Sequence, residues 1–175
     1  MSSTQTKNTQ NFTISRIMNV SAQELWKHLV YKYGDIADMN PVVHRSYLLD
    51  WHTEGVENCE RISYYEGDES KFIKEKLINL DNENLSYTSV ITEAHNISAD
   101  PGNMFVNITI QPMFNNQSRL EFEVHSKTLP SFVGVVKREF FEESLQSYFI
   151  GIEHHIQTGE IITPRVIRKL KAQAA

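Results

Sequence analysis

The sequence predicts an α+β domain: a curved, seven-stranded antiparallel sheet wrapped on a long C-terminal helix, with two short helices after the first strand. Three observations carry that expectation. The segment from Ser131 to about Gly159 has no proline, its glycines Gly134 and Gly151 are isolated, and Leu129-Pro130-Ser131 precedes it as a stop-and-cap signal. At ~1.5 Å per residue such a helix spans roughly 43 Å, more than one packing face of a sheet normally needs. Upstream of it, apolar and polar residues alternate with a period of two over most of the chain from Val42 to Thr128. The separators are short and turn-like, which makes an antiparallel meander the simplest topology.

Taken in order, residues 1–10 are polar and are expected to form a disordered tail. Phe12 to Met18 alternates well enough for a first strand. Ser21-Ala22-Gln23-Glu24 is a capping box, so a helix starts there and carries Leu25, Trp26, Leu29 and Val30 inward until Gly34. Asp35 to Asn40 is expected to be a second short helix, stopped by Pro41. Strands are then predicted over Val42–Trp51, Glu57–Tyr65, Ser70–Leu80, Leu85–Thr92, Met104–Phe114 and Ser118–Thr128. Glu66-Gly67-Asp68, Asp81-Asn82-Glu83-Asn84, Asp100-Pro101-Gly102 and Asn115-Asn116-Gln117 turn the chain between them. Leu120-Glu121-Phe122-Glu123-Val124 alternates most clearly, with Leu120, Phe122 and Val124 on the buried face. No internal repeat divides the chain. Residues 11–160 are expected to be one ligand-binding domain and 161–175 a basic C-terminal tail, in which Thr163-Pro164 opens a short helix.

Composition narrows the function classes. The 175 residues are 40% hydrophobic and 22% charged, ordinary for one globular domain. A formal net charge of −5 argues against nucleic acid as the main partner, since neutralising phosphates needs a basic face. Cys59 is the single cysteine, so no intramolecular disulfide can form. The N-terminal stretch lacks the apolar core of a signal peptide, and no apolar run approaches the ~20 residues of a spanning helix. A cytoplasmic, not transmembrane, protein is expected. The seven histidines have no chelating spacing: His154 and His155 point ~100° apart on a helix, and there is no His-Glu-x-x-His. Neither a metal nor a cofactor is expected. There is no Gly-rich nucleotide loop and no Gly-x-Ser-x-Gly elbow.

Several motifs resemble one fold family. Val20-Ser21-Ala22-Gln23-Glu24-Leu25-Trp26 is similar to a first-helix signature in which a small residue, an acid and a Trp open the helix. Met39-Asn40-Pro41-Val42-Val43 resembles a "W-x-P-x-V" entry to the second strand, with Met39 or Asn40 where an aromatic is usual. Gly55 followed by Cys59-Glu60-Arg61 resembles a Gly-x-x-x-Arg third strand. Ile73-Lys74-Glu75-Lys76-Leu77 with Leu80-Asp81-Asn82-Glu83 resembles an "E-x-L-x-x-L-D-x-E" hairpin. In that order, over about residues 12–158, they identify the chain as similar to START-like and polyketide cyclase/dehydrase-like (SRPBCC) proteins, whose fold is the helix grip. The resemblance implies a cavity between sheet and long helix that holds a hydrophobic or amphipathic small molecule, lipid or polyketide-like. It also allows a polyketide cyclase/dehydratase-type enzyme. The Ser-Gly-Leu-Pro gate of the plant hormone receptors is replaced here by Tyr65-Glu66-Gly67-Asp68, which argues against a hormone-receptor switch. The Gly-rich loop of the plant allergen branch is also absent.

The pleat nominates cavity residues. With Leu120 and Phe122 inward, parity groups Val43, Arg45, Tyr47 and Leu49 on one face, then Ile73, Glu75 and Leu77, then Tyr87, Ser89 and Ile91, with Arg61, Ser63 and Tyr65 as a further set. On the long helix a 100° step collects Lys137, Phe141, Ser144, Tyr148, Ile152 and His155 and turns Glu142, Glu143, Gln146 and Glu153 away. The ligand-contact candidates are therefore Arg45, Tyr47, Arg61, Glu75, Tyr87, Ser89, Phe122, Phe141, Ser144, Tyr148 and His155. A mostly apolar pocket with a few convergent polar groups is what such a site needs. Each candidate also has a plainer reading. Arg45 and Glu75 would form a mutually satisfied buried pair, the tyrosines and Trp26 would be core, and His155 would answer the helix dipole. Catalytic roles for Arg45, Glu75, Tyr87 or His155 stay open on the sequence alone. The basic tail allows weak contact with an anionic membrane or another protein, so a lipid chaperone or interaction module is a further alternative.

Overall fold

The computed structural model describes residues 11–50, 55–97, 99–126 and 131–174, with the side chains of 131–138 and 174 outside the description. The expected disordered tail, the Leu129-Pro130 stop signal, Trp51 and the side chain of Lys137 all lie outside the described residues. The seven strands are β1 (Phe12–Met18), β2 (Val43–Leu48), β3 (Glu60–Tyr65), β4 (Asp68–Asp81), β5 (Ser86–His95), β6 (Phe105–Pro112) and β7 (Ser118–His125). They form one antiparallel sheet in the order β1-β7-β6-β5-β4-β3-β2. Strands β2 to β7 are the predicted meander. β1 pairs with β7 at the opposite edge from β2, so the chain must cross the sheet between β1 and β2.

Helix α1 (Ala22–Trp26), a π-turn (Lys27–Tyr31) and a 3₁₀ helix (Tyr33–Asp38) make that crossing. The Ser21 hydroxyl accepts from the Glu24 N–H at 3.2 Å, as the capping box requires. The second short helix starts two residues before the sequence expectation. The turn chemistry also follows the sequence: Asn115 and Asn116 both take positive φ in the β6–β7 hairpin, a backbone that asparagine tolerates better than most residues.

Helix α2 (Ser131–Thr158) lies against the sheet and α1, and α3 (Pro164–Ala174) folds back onto it. The buried face of α2 is built from Leu145, Tyr148, Phe149 and Ile152. Phe149 meets Phe122 of β7 edge-on, with ring centroids 4.9 Å apart. Glu153 corrects the helical wheel, which turns it outward. It is buried and accepts hydrogen bonds from the Asn19 N–H at 2.7 Å and the Asn19 side-chain amide at 2.9 Å. Arg16 approaches the same carboxylate at 3.4 Å. A polar anchor thus ties the last turns of α2 to the end of β1, in a place where the wheel sees only a charge. The segment after α2 is also held: the Ile162 N–H donates to the Asp38 carbonyl at 3.0 Å, and Ile162 and Ile167 are buried.

Candidate functional site

The concave face of the sheet is apolar toward β1, β7 and β6, where Ile14, Leu120, Phe122, Val124, Ile108 and Ile110 are buried. It becomes polar toward β3, β4 and β5. There Arg61 sits directly opposite Glu75 in the β3–β4 register. The guanidinium donates to one Glu75 oxygen, Oε2, from Nε at 3.0 Å and from Nη2 at 2.8 Å. Its Nη1 donates to the Tyr33 carbonyl at 3.2 Å, and the guanidinium lies over the Tyr33 ring, 4.1 Å from its centroid. The second Glu75 oxygen, Oε1, accepts from the Ser89 hydroxyl at 3.2 Å. The Tyr33 hydroxyl is 3.0 Å from Ser89 Oγ. Because the one hydrogen of Ser89 goes to Glu75, Tyr33 is the donor in that contact. The result is a directed chain from Tyr33 through Ser89 to Glu75.

Three more tyrosines surround the pair. Tyr87 meets Tyr33 and Trp26 edge-on, with centroids 6.3 Å and 6.0 Å away. Burial pushes the Tyr33, Tyr65 and Tyr87 hydroxyls well above the usual phenol range, and Tyr148 up to about 12; each also feels the charges of Arg61 and Glu75. All four therefore keep their protons at neutral pH. Burial alone would weaken the Arg61 charge, but the Glu75 carboxylate and the neighbouring tyrosines hold it, on balance, above the ordinary arginine value. Ser63, on the same face of β3 as Arg61 and Tyr65, is fully buried, and its hydroxyl has no hydrogen-bond partner among the described residues. A buried polar atom left unpaired is costly and calls for an explanation.

Six predicted site residues lie on this inner face: Arg61, Glu75, Tyr87, Ser89, Phe122 and Tyr148. Phe141 is half-buried and edge-on to Phe12 at 5.9 Å, and Ser144 is half-buried beside it on α2. Arg45 and Tyr47 are corrections. Arg45 pairs with Glu69 at 2.9 Å and lies 4.6 Å from the centroid of Tyr64, on the outer face. Tyr47 is 42% exposed. The cause is a β-bulge between Val43 and Arg45, which adds one residue and inverts parity along the rest of β2. Ser46 and Leu48 therefore turn inward instead, and Ser46 bridges the 3₁₀ helix by accepting from the Ala37 N–H at 3.0 Å and donating to the Gly34 carbonyl at 2.7 Å. The partner of Glu75 is thus Arg61, not Arg45. Sequence reasoning missed Tyr33, which arrives from the 3₁₀ helix. Tyr33 is the aromatic residue just before Gly34, and that glycine, read as a helix stop, is the one local signal that the chain turns inward there.

His155 belongs elsewhere. Its Nδ1 donates to the Glu160 carbonyl at 2.9 Å, and its ring is 5.9 Å from that of His28. His28 Nδ1 donates to the Glu24 carbonyl at 2.9 Å, which leaves Nε2 to accept from Lys32 at 3.4 Å. A proton on Nε2 would face the Lys32 ammonium. Burial first, then Lys32 and His155, lower the His28 pKa, while the Glu24 carbonyl opposes them. A histidine whose folded pKa is depressed contributes stability that is complete above its unfolded value of ~6.5 and is lost as pH falls. Urea midpoints measured between pH 7.5 and 5 are expected to fall with acid, and His28→Asn is expected to flatten that slope. An unchanged slope would show that His28 charges as freely in the fold as in the unfolded chain.

Among the described residues, surface clefts lie on two sides of the helical layer. One, of about 520 Å³, lies beside α1 and is lined in part by Trp26, Lys27, Tyr31 and Asn82. The other, of about 380 Å³, lies between α2 and α3. Neither includes a residue of the polar cluster. Neither lies between the concave face of the sheet and Phe141–Tyr148 of α2, where the sequence resemblance implies a cavity. No group of three metal-ligating side chains converges among the described residues, and none of the described helices is long and apolar enough to cross a membrane.

No family model matches the sequence, and no curated protein matches it. Solved structures do. The crystal structure of Ara h 8.0201 superposes with a TM-score of 0.68 at 13% identity, covering 86% of this chain and 99% of that one. Truncated norcoclaurine synthase from Thalictrum flavum gives 0.65 at 15% identity, covering 87% and 96%. XoxI from Bacillus cereus gives 0.64 at 15% identity, covering 85% and 96%. This is the helix-grip fold. The chain shares it with these three proteins over 85–87% of its length. At these identities the likeness carries the architecture of sheet and gripping helix alone.

Proposed function

We propose that this helix-grip protein binds a hydrophobic or amphipathic small molecule between the concave face of its sheet and α2, with residues 11–160 as the binding unit. One observation carries the reading: a buried, neutralised Arg61–Glu75 pair, ringed by protonated tyrosines, stands at one end of an otherwise apolar face and includes a Ser63 hydroxyl with nothing to bond. An apolar surface with a few convergent polar groups suits an amphipathic guest. Arg61, Glu75, Tyr87, Ser89 and Tyr148 are the proposed polar contacts, and Phe122, Phe141 and Ser144 the proposed wall.

Carriage is preferred to catalysis. A norcoclaurine synthase shares the fold, so an enzyme of the cyclase/dehydratase type remains the second reading. For proton transfer, however, a group titrating near the working pH is wanted, and the tyrosines here are pushed far from it. Docking through the C-terminal segment is less favoured, because α3 turns Ile167 into the body and sets Lys171 against Glu143 at 3.5 Å. A cytoplasmic location is part of the proposal.

Native mass spectrometry of the purified protein tests it. The expected result is a mass above that of the chain by a few hundred daltons, lost at higher collision energy. A bare chain, together with no binding of any apolar compound in a fluorescence titration, would refute the proposal.

A further inference from the structure

The cleft between α2 and α3, about 380 Å³ in volume, has a chemistry of its own. Ile150 from α2 and Leu170 from α3, both half-buried, give it an apolar wall. Its permanent charges are Arg16 from β1 and Lys171 from α3 against Glu153 from α2, one positive charge in excess. The surroundings add to that sign: α3 carries Arg165, Arg168, Lys169 and Lys171 and no acid, on a chain whose formal net charge is −5. A cleft with one sign of charge and low-dielectric walls concentrates ions of the other sign.

The three charges of the cleft are unequally engaged. Glu153 is occupied: its side chain is 11% exposed, Oε1 accepts twice from Asn19, at 2.7 and 2.9 Å, and Oε2 faces Arg16. It has little to offer a cationic guest. The two cations are held loosely. Arg16 reaches Glu153 at 3.4 Å and Lys171 reaches Glu143 at 3.5 Å, whereas charge-assisted bonds close to about 2.7–2.9 Å. Their side chains are 37% and 38% exposed, so both keep donors within reach of whatever enters. A guanidinium and an ammonium carry no acceptor, so neither satisfies the other. His154, also on the wall, is 2.7 Å from Glu160, which lies outside the lining. One negative charge balances the excess. A dianion would overshoot it and leave negative charge beside Glu153.

We propose that this cleft is a second binding site, for a small amphipathic carboxylate whose head meets Arg16 and Lys171 and whose apolar stem lies on Ile150 and Leu170. The site shares no residue with the proposed polar contacts on the sheet, so it stands or falls apart from the guest proposed there.

Titration of the isotope-labelled full chain, followed by amide NMR shifts, tests it with matched probes: 3-phenylpropionate, 3-phenylpropanol, 3-phenylpropylamine and inorganic sulfate. The amides of Ile150, Leu170 and Lys171 report this cleft, and those of Arg61 and Ser89 report the sheet. At the cleft amides, the carboxylate is expected to bind roughly five- to tenfold tighter than the alcohol or the amine, the margin of a pair of half-exposed charge contacts. Sulfate, a dianion without a stem, is expected to bind more weakly than the carboxylate. Lys171→Gln is expected to weaken the carboxylate roughly threefold and leave the alcohol unchanged. This variant should fold, since Lys171 is partly exposed and the partner it leaves, Glu143, is 75% exposed. The proposal is overturned if the alcohol, the amine or sulfate matches the carboxylate, if Lys171→Gln leaves the carboxylate's affinity unchanged, or if no probe moves the cleft amides. Shifts confined to the sheet amides overturn it as well, while supporting the guest proposed there.

Discussion

Gly151→Ala is expected to lower the unfolding midpoint by several degrees, although alanine is the better helix former. A Cβ at position 151 would stand 2.2 Å from the Met39 carbonyl oxygen and 3.1 Å from Ile162 Cγ2. The first contact is with backbone, which no rotamer change relieves. Here α2, the end of the 3₁₀ helix and the segment leading to α3 meet at one point, and Ile162 is hydrogen-bonded to Asp38 just beside it. Replacing glycine by alanine inside a helix stabilises by about 1 kcal/mol. Forcing a methyl into a packed contact typically costs about 1–3 kcal/mol, and a clash with rigid backbone belongs at or beyond the upper end. The net loss should be about 2 kcal/mol, or about 4–8 °C for a chain of this length. A midpoint for Gly151→Ala at or above that of the parent would mean that α2 does not press on Met39 as described.

Glu75→Ala is expected to have a larger effect. It removes the carboxylate and strands a guanidinium whose side chain is only 8% exposed. Breaking a buried pair from one side costs about 3–5 kcal/mol, because the remaining charge loses its partner and regains little water. It also leaves Ser89 without the acceptor that orients it and Tyr33. A fall of roughly 10 °C is expected. The double change Arg61→Met with Glu75→Leu, of similar volume and without charge, should recover most of that fall, since paired charges and good apolar packing are often close in stability. Binding should not recover with it: the apolar double variant should fold and still lose affinity for a polar-headed guest. If Glu75→Ala melts at the parent's temperature, the pair is wetter than its burial implies. If the double variant binds the parent's guest as tightly as the parent does, the cluster serves the fold and not a ligand.

Parts of this arrangement are legible in the order of amino acids alone. The capping box at Ser21, the alternation from Leu120 to Val124, the asparagine turn between β6 and β7 and the proline-free run of α2 are local signals, each acting within a few residues. They suffice for the element order and for most of the sheet's inner face, Arg61, Glu75, Tyr87 and Ser89 included. Where the local rule is interrupted, the reading fails. One added residue between Val43 and Arg45 sends Arg45 and Tyr47 to solvent, and a bulge leaves no trace in hydrophobic periodicity because polar and apolar residues still alternate after it. Glu153 looks like a solvent-facing acid on the wheel, yet Asn19, more than a hundred residues earlier, makes its burial tolerable.

By itself, then, the sequence determined the class of fold, the order of its elements and the side of the sheet that is apolar, because period, caps and turns are short-range properties of the chain. The tertiary structure alone decided which charge Glu75 neutralises, that Tyr33 closes the cluster from the 3₁₀ helix, that Ser63 is left without a partner, and that Gly151 is the point where three segments touch. Those depend on strand register and on how far apart two backbones come to rest. Both are set by the packing of the whole molecule, and no window of sequence contains them.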